Sequence, residues 1–310
     1  MDLSALMAAA AERSPMPDAK PVRQHNPRVI AHVDGDYMAY FAAGSENCSA
    51  GEARRNVLSR CAQLKHISGA GKVVMHLTHG ASTKGDRFLA ATTRPYQGQR
   101  QAGRKPNNWA FLRDWMETYE GDAFTPKIWM TREADDGIAY VNEGAAIHAN
   151  ILHAVHSADK DMRMFCGMHV DWDGFGITSV PPGSYDVVGE NGLQYGHKWF
   201  WMQMLHGDGA DNIPGLPDVG KVTAEQLLLD TKDNAEAVKL VSGKYSEVLG
   251  TEWRKTFAEQ AVLLWMRTDR DADLLNVMSL GVFGPQLIEA FHVLAGEVSE
   301  KRAILEAYKA

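Results

Sequence analysis

Hydrophobic positions along the first two thirds of the chain alternate between short apolar runs and helical spacing. Val29 to Val33 (VIAHV) reads as a buried strand running into Asp34-Gly35-Asp36, and Tyr37 to Ala43 follows as an apolar helix. Glu52 to Ile67 has helical spacing, and Val73 to Leu77 (VVMHL) is a second strand. Trp109 to Tyr119 predicts a helix, Lys127 to Met130 a strand and Glu133 to His148 a helix; Ile151 to His156 is another strand reaching Asp159 and Asp161. This alternation predicts an α/β fold with a central, mostly parallel sheet flanked by helices. Residues 162–192 read as short strands with Gly and Pro turns, and Leu193 to His206 as a buried helix dense in Trp, Phe and Met. Past Asp211 turns lead into helices with no strand pattern. The expected organisation is an α/β domain over 28–206 and a helical region over 207–310. No repeat at solenoid periods is present.

Two stretches break the pattern. Residues 1–27 open with MDLSALMAAAAERS, which has Asp2 and no basic segment where a signal peptide needs one, so a frayed Ala-rich helix fits better. Pro15, Pro17, Pro21 and Pro27 then predict an extended leader, with the folded body starting near Arg28. Residues 78–106 lose all apolar periodicity. Across 84–113 Lys84, Arg87, Arg94, Arg100, Arg104, Lys105 and Arg113 stand against the single acid Asp86. Such a stretch is either a solvated charged loop or a functional one, and the arginines around Tyr96 favour the second.

Composition narrows the class. The chain has 310 residues, 45% hydrophobic and 23% charged, which is ordinary globular usage. With 32 Lys+Arg against 39 Asp+Glu the formal net charge is −7, which excludes a globally basic nucleic-acid binder but not a locally basic one. Cys48, Cys61 and Cys166 form no CxxC and cannot all pair, so no zinc knuckle or disulfide framework is indicated and a reducing cytoplasm fits. No apolar stretch is long enough to span a bilayer. His148, His153 and His156 do not share a face, so core or surface roles are expected of them before a zinc site.

The acids carry the chemistry. Asp34 and Asp36 are two apart at a strand end, so in extended chain both point to one face. Asp159 and Asp161 repeat that spacing at a later strand end. Glu133 and Asp136, with Asp135 between them, share one face of a helix start, and Asp208 and Asp211 are again three apart. Any one pair could be a dipole-favoured cap. Four pairs, all at element ends, are better explained by convergence on the edge of a parallel sheet, where ligands bind. Clustered carboxylates cannot all stay ionised in a dry site unless a hard divalent cation such as Mg²⁺ or Mn²⁺ joins them. Further on, Ile213 to Ala224 (IPGLPDVGKVTA) combines tight turns with a helix start; it is either a phosphate seat reinforced by Lys221 or an ordinary helical hairpin.

Taken in order, VDGDYMAYFA, PYQGQR, READD, SADKDM and GDGADNIPGLPDVGKVTA resemble the motifs of the flap-endonuclease superfamily of 5′ nucleases, in particular the tailed-phage 5′→3′ exonucleases. The resemblance runs from about Val29 to about Asp230, with a looser echo at Leu263-Leu264-Trp265. It implies a sheet, a basic threading arch over about 78–106, a helix–three-turn–helix DNA clamp, and a monomer in a cytoplasm, the host's if phage-encoded. Its activity would be two-metal, Mg²⁺- or Mn²⁺-dependent hydrolysis of DNA near 5′ ends, nicks or flaps, in phage DNA replication or degradation. Discrimination between exonuclease and flap endonuclease, or between DNA and RNA–DNA hybrids, stays open. Asp34, Glu133, Asp135 and Asp136 match one group of family metal ligands, and Asp159, Asp161, Asp208 and Asp211 the second. Arg100 matches an arch arginine at the scissile phosphate. Gly215, Gly220 and Lys221 match the phosphate-gripping hairpin, which in the family also holds K⁺. Tyr96, Arg104 and Lys105 are the remaining expected DNA contacts.

Two departures stand out. His79 occupies a position where the family has a carboxylate, which as a ligand would favour Mn²⁺ over Mg²⁺. Gln97 stands in Tyr96-Gln97-Gly98-Gln99-Arg100 where the family has an arch lysine, and Lys84, Arg87 or Arg94 would have to compensate. Two rivals follow. A haloacid-dehalogenase-type phosphatase explains Asp34-Gly35-Asp36 and the GDGAD motif but not READD, SADKDM or the hairpin. A decayed flap-DNA-binding protein explains His79 and Gln97 but not eight retained carboxylates.

Overall fold

In the computed structural model of the protein, residues 23–98, 105–146 and 152–309 are described. The strands are β1 (Asn26–Asp34), β2 (Ala70–Thr78), β3 (Thr125–Trp129), β4 (Leu152–His156), β5 (Gly167–Val170) and β6 (Ile177–Val180), with a small hairpin of β7 (Val187–Val188) and β8 (Gln194–Tyr195). Six of them form one sheet in the order β3-β2-β1-β4-β5-β6, parallel except for β6. The helices are α1 (Gly35–Ala42), α2 (Ala50–Ser68), α3 (Arg87–Ala90), α4 (Trp109–Glu117), α5 (Ala134–Ala146), α6 (His197–His206), α7 (Lys221–Leu227), α8 (Asn234–Leu249), α9 (Trp253–Leu264) and α10 (Pro285–Lys309). Local chemistry sets the ends. Asp34 caps α1 by accepting from the Tyr37 N–H, and Ser49 caps α2 by accepting from the Glu52 N–H.

Several expectations from sequence are corrected. The sheet starts at Asn26, and the Arg23 and Asn26 N–H groups donate to the carbonyls of Ile67 and Gly69, so residues 23–27 are already tied down; the rest of the expected leader, with its Ala-rich helix, lies outside the described residues. Helix α6 begins at His197, because Gln194 and Tyr195 are taken by the β7–β8 hairpin. Over 78–98 the basic segment is anchored. The N–H groups of Thr83 and Gly85 donate to the carbonyls of Met130 and Thr131, and α3 follows at once. Its apolar period is missing because polar groups bonded to backbone hold it in place.

Two cores result. Val29, Ala31 and Val33 of β1 pack with α1, α2 and α4 on one side of the sheet. The second core runs from Ala90 and Ile138 through Trp199–Met202 of α6 to Phe257 and Phe291 of α9 and α10. The change of character near residue 206 is therefore not a boundary between cores. Helix α6, buried on nearly every side, joins the helical region to the sheet.

A line of buried histidines crosses the strands. The Trp129 indole N–H donates to His76 Nδ1 (3.0 Å), His32 Nδ1 lies 2.8 Å from His76 Nε2, and His32 Nε2 lies 2.6 Å from His153 Nδ1. An indole only donates, so each imidazole in turn is neutral and passes its one proton along the row. His156 lies on the opposite face, bonded to Arg60 and to the Val170 carbonyl, so no shared His153–His156 site exists. His148 lies outside the described residues.

Burial pushes His32 well down, His76 to about 3, and His153, His156, His169 and His197 to about 4; His206 is also lowered. These groups bind protons less readily folded than unfolded, so their contribution is complete above about pH 6.5 and lost as pH falls toward 4. Asp34 and Asp161, raised by burial to about 7 and about 8, and the raised Asp36 and Asp135 have the opposite slope. They bind protons more readily folded, so their cost in the metal-free protein grows as pH rises from about 4 to 8. The histidines outnumber them below pH 6.5 and are silent above it. Urea unfolding of the metal-free protein is expected to show maximal stability near pH 6.5; a flat midpoint from pH 5 to 8 contradicts this balance.

Candidate metal centre

The strand order reverses direction between β1 and β4, which opens a crevice at their C-terminal ends. Asp34 ends β1 there, and Ser157 to Asp161 follow β4 there. Asp34 accepts from the Tyr37 N–H (3.0 Å) and the Ser157 hydroxyl (3.1 Å). Asp159 accepts from the Asp161 N–H (2.8 Å) and so starts the tight turn Lys160–Met164. Asp36 does not join Asp34, because the chain turns helical at Gly35. It pairs instead with Arg113 and accepts from the Thr78 N–H. The one-face expectation for the pair thus fails, and Arg113, also bonded to Glu117, is not an arch cation.

Helix α5 starts at the same edge and brings in Glu133, Asp135 and Asp136, whose ligand oxygens lie within 4.8 Å of one another. Asp136 is fully committed. Both of its oxygens are 2.7 Å from Arg87, and it also accepts from the backbone N–H groups of Glu133 and Arg267. Despite complete burial, the Arg87 charge holds it below the usual carboxylate range. Asp135 is pushed well up, first by burial and then by the charges of Asp136, Glu133 and Asp159. The second group is Asp161, Asp208 and Asp211, again within 4.8 Å. Gly207 and Gly215 (φ 76° and 66°) let this loop close on itself, since a Cβ on Gly215 would lie 2.3 Å from the Gly207 nitrogen. Tyr96 bridges the groups, with its hydroxyl 2.8 Å from Glu133 and 3.1 Å from Asp211.

The residues fit a hard cation. Among the described residues Asp34, Asp135 and Asp159 accept hydrogen bonds only from neutral donors. Burial and mutual repulsion keep Asp34 protonated up to about 7. An all-oxygen donor set that its own side chains leave short of positive charge suits a divalent cation.

The other expected site residues divide. Lys84 lies 3.3 Å from Glu133 and donates to Gln97 (3.1 Å), so its ammonium stands beside the first carboxylate group. It is aimed there by three consecutive left-handed residues, Lys84, Gly85 and Asp86 (φ 52°, 62° and 58°), a conformation that disfavours side chains by ~1–2 kcal/mol per residue. His79 enters neither carboxylate group. The chain turns after Thr78, and His79 Nδ1 accepts from the Ala81 N–H, so no Mn²⁺ preference follows from it. Tyr96 is buried beneath the carboxylates and offers no stacking face. Gly215 spends its N–H on Gln260 (2.9 Å), which removes it as a phosphate donor. Gly220 and Lys221 start α7, with Lys221 exposed. Arg94 is exposed, and Lys105 lies over the Trp109 ring at 3.6 Å. Arg100 and Arg104 lie outside the described residues.

Sequence reasoning gave no site role to Arg132, Lys160 or Gln203. Arg132 donates to the carbonyls of Arg267, Asp269 and Arg270 and locks the helical region beside Glu133. Lys160 lies among Asp161 and Asp208, and Gln203 donates to Asp161 (2.6 Å). The signal for Lys160 was its place between two ligand-spaced aspartates.

This architecture is the 5′-nuclease fold. A structure of the bacteriophage T5 flap endonuclease, a pseudo-enzyme–product complex with DNA and metal ions, matches 87% of this chain and 99% of its own at a TM-score of 0.56 and 16% identity. The T5 5′-exonuclease with bound zinc matches with the same coverage, TM-score 0.56 and 16% identity. In sequence, DNA polymerase I of Rhizobium leguminosarum is 31% identical over 166 residues and that of Bacillus caldotenax 27% identical over 168 residues. These segments are 50% and 53% of this chain but 16% and 18% of the relatives, so the chain spans less than a fifth of the curated relatives it matches. No protein-family model matches the chain. No helix among the described residues is long and apolar enough to cross a membrane.

Proposed function

We propose that the protein is a Mg²⁺- or Mn²⁺-dependent 5′ nuclease that hydrolyses DNA phosphodiesters near 5′ ends, as an exonuclease, a flap endonuclease or both. The observation that carries this reading is the pair of buried carboxylate groups at the switch point of a 5′-nuclease fold, bridged by Tyr96. When bound, the cations supply charge that lowers the pKa of an attacking water and stabilises the leaving oxygen. The chain's own residues do the positioning. Asp136, neutralised by Arg87, fixes the first turn of α5 so that Glu133 and Asp135 face the crevice. The Tyr96 hydroxyl, kept protonated first by burial and then by the Glu133 and Asp211 charges, holds the two groups together. Lys84 offers an ammonium beside Glu133 for the scissile phosphate. The T5 neighbour's complex with DNA supports the choice of substrate.

The deciding experiment uses 5′-labelled duplex, nicked and flap DNA with and without Mg²⁺ or Mn²⁺; product sizes give polarity and structure preference together. Phosphate release from small monoesters with no cut in DNA would favour the phosphatase, and flap binding without cleavage the decayed binder. Lys221→Ala is expected to lower the slope of log K against log salt for duplex binding by about one unit, with single-turnover cleavage at saturation little changed. An unchanged slope removes Lys221 from the phosphate contacts.

A further inference from the structure

The second carboxylate group already contains a cation that belongs to the chain. Lys160 Nζ lies 2.6 Å from Asp208 Oδ2 and 3.3 Å from Asp161 Oδ1. The side chain of Asp208 is 2% exposed and that of Asp161 10%, whereas Lys160 is 34% exposed. The anions are therefore fixed in the interior while the ammonium, on a flexible stem, is reachable from solvent. A divalent cation takes carboxylate oxygens at ~2.0–2.6 Å, so it and the ammonium compete for the same oxygens. Lys160 has somewhere to go. A cavity of about 400 Å³ adjoins the group, lined by Asp159, Lys160, Arg163, Trp172 and Lys221 among others. In the first group Lys84 lies 3.3 Å from Glu133 and Arg87 holds Asp136, but Asp34 and Asp135 have no ammonium within ion-pair distance among the described residues, so oxygens are left there that a cation can take without displacing a lysine.

We propose that Lys160 is the internal counter-ion of the second group, and that a divalent cation enters Asp161, Asp208 and Asp211 only by displacing its ammonium into the adjoining cavity. The inference rests on the metal-dependent reading of the same site. It makes the two groups unequal. The first keeps Asp34 and Asp135 open to a cation beside its own Lys84 and Arg87 pairs, and the second shows an affinity reduced by the fraction of molecules in which Lys160 has left. Lys160 also stabilises the cation-free protein, because without it the buried Asp161 and Asp208 lose the ammonium they share.

Mn²⁺ binding, followed by electron paramagnetic resonance and calorimetry, tests this together with thermal unfolding in the presence and absence of Mn²⁺. In Lys160→Met the weaker class of Mn²⁺ sites is expected to tighten about tenfold, the tighter class staying as in wild type. The metal-free melting temperature falls and Mn²⁺ restores it. Lys160→Arg, which keeps the charge, retains the weak second class. Lys160→Gln, which keeps a neutral donor for Asp208, gives the same readout if the methionine variant does not fold. A weaker class identical in wild type and Lys160→Met overturns the role of Lys160 and leaves the metal reading standing. Absence of any Mn²⁺ binding in all of the proteins overturns both.

Discussion

Asp159→Ala and Asp135→Ala are each expected to reduce Mg²⁺-dependent cleavage of a labelled flap by about 10³-fold or more, as for groups that act as a unit. Asp159 follows β4 and Asp135 opens α5, so the two reach the crevice from independent elements. Among the described residues neither has a cationic partner that removing it would strand, and folding should survive. For the same reason the double variant is expected to be little worse than either single one, because removing one ligand already disables the unit. Flap affinity should persist, since the exposed Lys221 lies outside the carboxylate groups. Single-turnover rates with gel-shift affinities give the check. Near wild-type cleavage by either variant shows that the carboxylate cluster is not the reaction centre.

Arg87→Met is expected to be the most damaging substitution for stability, costing ~3–5 kcal/mol, because it leaves Asp136 buried and uncompensated. Arg87 is 3% exposed and Asp136 fully buried, and the pair is bidentate at 2.7 Å. The same guanidinium donates to the carbonyls of Leu263 and Trp265 at the end of α9, so its loss also loosens the helical region. Arg87→Met combined with Asp136→Leu should cost clearly less than the two single changes added together, since neither member of the pair is then left buried without the other. Urea titrations of the three variants measure this directly. Strict additivity would mean that the pair contributes no coupling.

The parallel sheet was legible because its strands are buried on both faces and read as continuous apolar runs, VIAHV and VVMHL above all. The eight carboxylates were legible for a related reason: acids two or three apart at element ends have no packing role to explain them. Helix α6 was found but begun too early, since period alone cannot separate two residues of hairpin from a first helical turn. The segment before Tyr96 was read as basic and structureless because its order comes from Arg87, Thr83 and Gly85 bonding to distant backbone, and such contacts leave no periodic trace.

What the amino-acid sequence determined by itself is the alternation of elements, the placing of acids at their ends and the family those motifs resemble. Local rules suffice for that, because side-chain period and capping chemistry act over a few residues. What only the tertiary structure decided is how each charge is spent. Asp34 faces the crevice while Asp36, two residues on, is neutralised by Arg113; among the described residues Asp135 has no ion pair, while Asp136 is held by Arg87. His79 turns away, and Lys84 sets its ammonium beside Glu133 while donating to Gln97. Partners separated by tens of residues make these differences, and the ionisation of a buried carboxylate depends on which cation stands beside it in space.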